Sequence, residues 1–168
     1  MTAERDPFKN PFPADDSDRR AIWEMLVPRD IDAFVGADWP AVAGDFIAAN
    51  FTGISGNFQG EPDGFNLAFP TLDAYRTEWL RQAAEFGAAR TAGAFAGDPR
   101  AGIYAATRLE VIEITGDAAM VRKKFDGRLA KADGSFDRMN WQTLYICRKE
   151  DGRWKIAGFV GYLPHIKE

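Results

Sequence analysis

The sequence is poor in the residues that bind metals and form disulfides. It has one cysteine and one histidine in 168 residues. The lone Cys147 cannot form an intramolecular disulfide, and a structural zinc site needs four cysteine or histidine ligands. A catalytic triad would have to use His165, and no G-x-S-x-G motif presents a serine. We therefore expect no metal site and no cofactor.

The chain also lacks long apolar runs and a large excess of either charge. No run approaches the length of about 20 apolar residues that a membrane span requires. Residues 1–18 have no apolar segment after their charges, so they do not form a secretory signal. With 21 basic and 25 acidic residues, no basic surface is expected to gather nucleic-acid phosphates or anionic lipids. We expect a cytoplasmic protein that binds neither nucleic acid nor membranes.

The composition that is present fits one folded domain. Hydrophobic residues make up 46% of the chain, which is enough for one core in a protein of this length. We predict an extended N-terminal arm at residues 1–14, followed by a single domain at residues 15–168.

The first part of this domain has the spacing of amphipathic helices. Residues 15–48 carry an apolar stripe that Pro28 is predicted to kink or break near Val27, because proline lacks a backbone donor and clashes with the preceding turn. A short second helix is expected to start at Pro40 and to run through Ile47.

A third helix is predicted at residues 71–86. Thr71 is its expected N-cap, because a threonine hydroxyl can accept a hydrogen bond from a free amide of the first turn. Residues 87–102 are rich in alanine and glycine, and both a frayed helix and a loop remain open for them.

From residue 103 onward the pattern changes to strands separated by turn signals. The turns are T-G-D at 115–117, A-D-G at 132–134 and E-D-G at 150–152. Four consecutive strands joined this tightly should form an antiparallel meander. Helices followed by a run of strands indicate the α+β class. Glycines inside the strand patterns predict bends at Gly127, Gly158 and Gly161.

Alternation along two neighbouring strands predicts which side chains face inward. One inward row contains Met139, Trp141, Thr143, Tyr145 and Cys147. In the other strand Lys123 and Phe125 face inward and Asp126 faces outward, unless a bulge intervenes near Phe125. Lys123 is therefore the ionisable group expected to approach an interior cavity. The alternative is that its stem packs while its amine reaches water.

Four segments carry a family resemblance: A-F-V-G-A-D-W, F-T-G-I-S, E-V-I-E-I-T-G-D-A-A-M-V-R and Y-I-C-R-K-E-D-G-R-W-K-I-A. They are similar to the nuclear transport factor 2-like superfamily, in its SnoaL-like or ketosteroid-isomerase-like branch, over residues 18–163. The resemblance implies a cystatin-like α+β fold, in which a curved antiparallel or mixed sheet forms a cone around N-terminal helices. It also implies an apolar pocket at the wide end of the cone and a homodimer.

Most residues that the known chemistries of this superfamily use have no counterpart in the sequence. At the isomerase site, the base position falls near Ile54, the helical tyrosine near Asp30 and the strand acid at Leu144. Lys124-x-Asp126 resembles the Arg-x-Asp pair of the epoxide hydrolases, but the second acid is missing. A dehydratase site with two histidines cannot form from one.

The sequence leaves two functional hypotheses. The first is a SnoaL-like domain whose central pocket binds a small, largely apolar molecule, with metal-free acid–base catalysis of the isomerase, dehydratase or hydrolase type. The second is a non-catalytic ligand-binding or homodimerisation domain. The catalytic candidates are Lys123 and Asp126. The ligand-binding candidates are Trp39, Phe58, Phe65, Tyr104, Trp141, Thr143 and Tyr145. Alternatively, most of these aromatic residues belong to an ordinary core or interface.

Residues 51–70 are rich in glycine and phenylalanine. The resemblance implies a strand at F-T-G-I-S, residues 51–55, and the residues after it are expected to form a loop at the mouth of the pocket. They contain no lysine, and no glycine loop runs directly into a helix, which excludes a phosphate cradle. Their phenylalanines are too apolar for a flexible linker. We expect Phe65 and Phe69 to be buried, where they cover the pocket or contact a dimer partner.

Overall fold

A computed structural model describes residues 4–167, in which helices precede a run of long strands. The helices are α1 (Ser17–Glu24), α2 (Asp30–Val35), α3 (Trp39–Ala43), α4 (Leu72–Thr91) and α5 (Pro99–Ala106). The strands are β1 (Thr52–Ser55), β2 (Asn66–Phe69), β3 (Thr107–Thr115), β4 (Ala118–Ala130), β5 (Phe136–Glu150) and β6 (Arg153–Leu163). A π-helical turn, Met25–Arg29, joins α1 to α2, and a 3-10 turn, Pro62–Gly64, precedes β2. The predicted α+β class is confirmed.

The strands form one six-stranded mixed sheet in the order β2-β1-β6-β5-β4-β3. The last four strands pair antiparallel with their sequence neighbours, so the predicted meander is confirmed. The sheet is mixed because β1 pairs parallel with β6.

The parallel pairing of β1 with β6 depends on a glycine. Thr52 of β1 lies opposite Gly158 of β6. A Cβ atom added at Gly158 would lie 2.5 Å from the Thr52 carbonyl oxygen, which is closer than packed atoms approach. Glycine therefore allows the two backbones to come this close.

The core lies between the helices and the inner face of the sheet. It includes Trp23 and Leu26 from the helical segment and Val121, Cys147 and Ile156 from the three adjacent strands β4, β5 and β6. Cys147 is 0% exposed. Burial raises the pKa of its thiol to about 12, because the surrounding apolar groups disfavour the thiolate.

The first helical segment differs in two ways from the prediction. The irregularity expected near Val27 takes the form of a π-helical turn that contains Pro28, rather than a break. The prediction that the next helix reaches Ile47 was wrong, because α3 ends at Ala43. Phe46 instead forms a parallel bridge with Ile156 of β6.

The third predicted helix is confirmed, and it is longer than expected. The Thr71 hydroxyl accepts a hydrogen bond from the Ala74 amide at 3.1 Å, and α4 continues to Thr91.

The residues at the predicted start of the meander, 103–106, are helical rather than extended. They form the end of α5, so the expectation of a strand there was wrong. The Asp98 side chain accepts a hydrogen bond from the Arg100 amide at 3.0 Å, and Pro99 occupies the favoured first helical position. These start signals outweigh the strand-like sequence that follows them.

Residues 51–70 are more regular than the predicted loop. They contain β1 and β2, which pair antiparallel through Gly53 with Phe69 and through Ser55 with Asn66. The strand that the resemblance implies at F-T-G-I-S is confirmed as β1, whereas the loop prediction was wrong for β2, and the two strands form one edge of the sheet.

The N-terminal arm has neither helix nor strand in residues 4–16. Its Arg5 guanidinium donates to the carbonyl oxygens of Thr107 at 2.6 Å and Ala105 at 2.9 Å, which attaches the arm to the end of α5. The arm prediction also includes residues 1–3, and the domain prediction includes residue 168; these positions lie outside the described residues. The division into arm and domain stays a prediction. Across residues 4–167, no helix combines the length and apolarity needed to cross a bilayer.

Candidate functional site

A cavity of about 280 Å³ lies between α2, α4 and the inner face of the sheet. Half of the residues that line it are aromatic, including Phe34, Trp79, Phe125, Trp141 and Phe159. Such walls suit flat, apolar molecules, which can stack on rings and displace water from them.

An ion pair lies in the cavity wall. The Lys123 ammonium donates to Asp30 Oδ2 at 2.8 Å and also to the backbone carbonyl of Leu26. The Lys123 side chain is 1% exposed, whereas the Asp30 side chain is 29% exposed. Among residues 4–167, Lys123 is the sole hydrogen-bond donor to the Asp30 carboxylate, and Oδ1 accepts no hydrogen bond. The pair therefore presents a free carboxylate oxygen next to a fully covered ammonium.

Two tyrosine hydroxyls accompany this carboxylate. Tyr75 from α4 and Tyr145 from β5 both line the cavity. Burial raises the pKa of each phenol, and the negative charge of Asp30 raises it further. Within the described chain neither hydroxyl has a hydrogen-bond partner, and neither is fully covered by protein. Both phenols therefore stay protonated at neutral pH and can donate to a ligand.

Glu78 and Gln82 of α4 and Tyr162 of β6 are partly exposed residues of the cavity lining, and this group is here termed the mouth. The Glu78 carboxylate accepts hydrogen bonds from Arg81 and Gln82, which lower its pKa to about 2. Gln82 also approaches the Tyr162 hydroxyl at 3.5 Å. Glu78 is therefore ionised and already paired at neutral pH.

Two residues near the mouth have the left-handed backbone conformation, which residues other than glycine rarely adopt. Tyr162 has φ of 53° and Phe58 has φ of 59°. The Phe58 amide donates to the Tyr162 carbonyl at 2.7 Å, and the two ring centroids are 5.3 Å apart. Strain of this kind persists only where neighbouring contacts hold it.

The structure brings together part of the predicted site. Lys123, Trp141, Thr143 and Tyr145 all line the cavity. Trp39 lies in a second core cluster, where its ring packs edge-on against Trp79 at 5.2 Å.

The other candidate residues lie outside the cavity lining. Tyr104 is buried in α5 and donates to Asp32 at 3.1 Å. Phe58 is 60% exposed, and Phe65 is half-buried beside the 3-10 turn. Asp126 is exposed and accepts a hydrogen bond from Asn140 at 3.3 Å, so it lies on the outward face that strand alternation indicates.

Asp30 and Tyr75 were not among the candidate site residues. Asp30 has Leu26 four residues before it and Phe34 four residues after it, so it lies on the apolar face of a helical segment. An acid on such a face, together with an inward lysine, is the pattern that could have revealed the pair. Tyr75 looked like one more residue of an apolar helix face.

No cluster of three or more histidine, cysteine, aspartate or glutamate side chains suited to a metal ion occurs in the described part of the chain.

Comparison with solved structures identifies the fold. A protein of unknown function from Pseudomonas putida aligns with a TM-score of 0.54 at 15% identity, over 88% of this chain and 87% of the other. The chain has the nuclear transport factor 2-like fold. A Salmonella enterica member of the nuclear transport factor 2-like superfamily gives a TM-score of 0.52 at 14% identity, over 87% of this chain and 89% of the other. A Novosphingobium aromaticivorans protein, described as nuclear transport factor 2-like with a cystatin-like fold, gives 0.51 at 13% identity, over 88% and 81%. No family model and no curated protein matches the chain.

Proposed function

We propose that the cavity binds a small neutral ring compound and that Asp30 accepts a proton from it, as in an acid–base enzyme of the SnoaL-like branch. The observation that carries the proposal is the Asp30–Lys123 pair, joined at 2.8 Å among aromatic walls. Because the two charges offset each other, the cavity offers no net charge to attract an ion. A neutral ligand therefore fits it better than an anion or a cation.

The polar groups around the pair define what the ligand must carry. Asp30 Oδ1 can only accept, so it suits a ligand hydroxyl or an acidic C–H group. Tyr75 and Tyr145 can donate to a ligand oxygen, because a phenol is protonated at neutral pH and burial raises the pKa of both further. The ligand class is thus a ring compound with a hydroxyl or carbonyl oxygen.

Asp30 and the two tyrosine hydroxyls have different roles in the proposed reaction. Asp30 takes a proton from the ligand, and the tyrosine hydroxyls stabilise the negative charge that develops on the ligand oxygen. The proton then returns to a different ligand atom or leaves with a hydroxyl group as water. Isomerase and dehydratase chemistry both begin with such a proton transfer, whereas in a hydrolase the same carboxylate would take its proton from the attacking water.

Substitution of Asp30 tests this proposal. We expect Asp30→Asn to bind 2-naphthol, a neutral two-ring alcohol, at least about tenfold more weakly than the wild type, because hydrogen bonds to a charged acceptor exceed those to an amide. Titration calorimetry measures the affinity. The control is Asp126→Asn, which changes an exposed carboxylate outside the cavity lining and should bind as the wild type does.

Equal binding of 2-naphthol by the wild type and Asp30→Asn would refute the role of Asp30. Native mass spectrometry of protein purified without added ligand adds an independent test, since a retained neutral ring compound would identify the natural ligand class.

A second candidate function, homodimerisation, is favoured by the outer face of the sheet. Met120, 41% exposed, pairs across β4 and β5 with Ile146, 40% exposed. Arg122 and Glu113 beside them carry opposite charges, so the patch can contact a second copy of itself without repulsion. A monomer at micromolar concentration in sedimentation velocity would exclude this dimer. The cytoplasmic location stays a prediction.

A further inference from the structure

Lys123 lies closest to the proposed base, and its contacts indicate a role different from acid catalysis. We propose that Lys123 is a positioning residue, which links the π-helical turn Met25–Arg29 to Asp30 and thereby directs Asp30 Oδ1 at the ligand. This inference rests on the proposed function, because it concerns the same carboxylate. It adds the means by which the fold holds that carboxylate in place.

The first step is the carbonyl group that the π-helical turn makes available. In a regular α-helix the Asp30 amide would donate to the carbonyl of Leu26, four residues earlier. Here that amide donates to the carbonyl of Val27 instead. Pro28 within the turn has no N–H group, so regular helical bonding is interrupted at this point. The Asp30 amide therefore does not occupy the Leu26 carbonyl, which can accept from another part of the chain.

The donor to the Leu26 carbonyl is the ammonium group of Lys123. Lys123 enters from β4, 97 residues away along the chain, and donates to the Leu26 carbonyl. Its ammonium simultaneously donates to Asp30 Oδ2 at 2.8 Å. Because Leu26 is the second residue of the turn and Asp30 directly follows it, one ammonium contacts both ends of the turn.

The third step concerns the orientation of the carboxylate. The bond from Lys123 occupies Oδ2, while Oδ1 has no partner among residues 4–167. Two acceptors already bind the Lys123 ammonium, and the Lys123 side chain is only 1% exposed. A ligand therefore has almost no access to this ammonium. Lys123 consequently acts on the ligand through Asp30, by offsetting its charge and fixing its rotation.

The experiment uses a probe whose light emission reports proton transfer. Excited 2-naphthol gives up its proton to a nearby carboxylate and then emits as the naphtholate. 2-Methoxynaphthalene has the same two rings without a transferable proton, so its affinity reports the cavity alone. Both probes are titrated against the full-length chain and followed by fluorescence.

We expect Lys123→Met to lose the naphtholate emission and to bind 2-naphthol at least about tenfold more weakly, because the Asp30 carboxylate loses the ammonium that fixes its rotation. Its affinity for 2-methoxynaphthalene should stay at the wild-type value, which a collapsed cavity would not allow. The control is Lys149→Met, which removes a lysine paired with Asp18 at 2.9 Å outside the cavity lining. It should match the wild type with both probes.

Pro28→Ala provides a second test that leaves Lys123 intact, and it decides the matter if Lys123→Met does not fold. An alanine restores the N–H group, so a regular turn can form and the Asp30 amide can compete for the Leu26 carbonyl. We expect reduced naphtholate emission with unchanged 2-methoxynaphthalene binding.

The outcomes separate the two proposals. Wild-type emission from Lys123→Met, or from Pro28→Ala where Lys123→Met does not fold, would overturn the positioning role and leave the proposed function standing. If the wild type bound neither probe, both proposals would fail.

Discussion

At the scale of residues, the cavity is notable for how few of its polar groups carry an uncompensated charge. Asp30 is paired with Lys123, and Glu78 at the mouth is paired with Arg81. The phenols of Tyr75 and Tyr145 are neutral, and burial raises their pKa values further above neutral pH. Polarity in the cavity therefore comes from oriented hydrogen-bonding groups rather than from net charge.

Glu78 makes the stability of α4 depend on pH. Hydrogen bonds from Arg81 and Gln82 lower its pKa from 4.5 to about 2. Since the folded-state pKa lies below the unfolded value, the ionised carboxylate stabilises the fold above about pH 4.5, and this contribution is lost as the pH falls toward 2. We expect Glu78→Gln to lower the free energy of unfolding at pH 6 by about 0.5 kcal/mol, with a smaller loss at pH 3.

Urea unfolding at both pH values measures this effect. Glu61→Gln, at an exposed position before the 3-10 turn, is the matched control and should change stability at neither pH. A loss at Glu78→Gln that stays constant between pH 6 and pH 3 would contradict the assigned role.

The two members of the ion pair differ in how far the sequence predicts them. Strand alternation is strict, so the inward direction of Lys123 follows from Val121 and Phe125 on either side. Asp30 follows a π-helical turn, and its partner Lys123 lies on the distant strand β4. No local sequence pattern therefore predicts that the two residues pair. The sequence predicts the lysine of the site, whereas the acid that it offers, Asp126, lies outside the cavity lining.

At the scale of elements, the attachment of β1 to β6 is the most sensitive to a single atom. A Cβ at Gly158 would meet the Thr52 backbone oxygen, and a backbone strand cannot move aside as a flexible side chain can. We expect Gly158→Ala to lower the free energy of unfolding by about 1–3 kcal/mol. Gly60→Ala is the control, since a Cβ added there would have nothing within 4 Å.

Urea denaturation of both glycine variants provides the measurement, and Gly60→Ala should change stability by less than about 0.5 kcal/mol. Equal stability of Gly158→Ala and the wild type would mean that β1 does not depend on this close approach.

Elements with strong local signals were predicted from the residues, β1 was implied by the family resemblance, and β2 was not predicted. The meander follows from three turn signals at regular spacing, and α4 follows from the cap at Thr71. The strand β2 has four residues, and its conformation depends on pairing with β1, so no periodicity announces it. In α5 the cap at Asp98 decided the conformation of a sequence whose isoleucine and tyrosine resemble a strand.

At the scale of the whole molecule, the cavity and the proposed dimer contact lie on opposite faces of one sheet. Met120→Lys should therefore abolish the proposed dimer without weakening 2-naphthol binding, because a buried lysine in each copy would be uncompensated. Leu67→Lys is the control, since Leu67 is an exposed apolar residue on β2, at 56%. Sedimentation velocity measures the assembly, and a dimer that persists in Met120→Lys would rule out this face.

The central position of Cys147 has a consequence for following the protein in solution. It is the one thiol of the chain, and its side chain is fully covered by the sheet and helices. A thiol reagent can react with it only when β5 separates from its cover, and the raised pKa suppresses the reactive thiolate while the fold is closed. The rate at which the reagent modifies Cys147 therefore measures how often the domain opens, and no cysteine has to be introduced for this measurement.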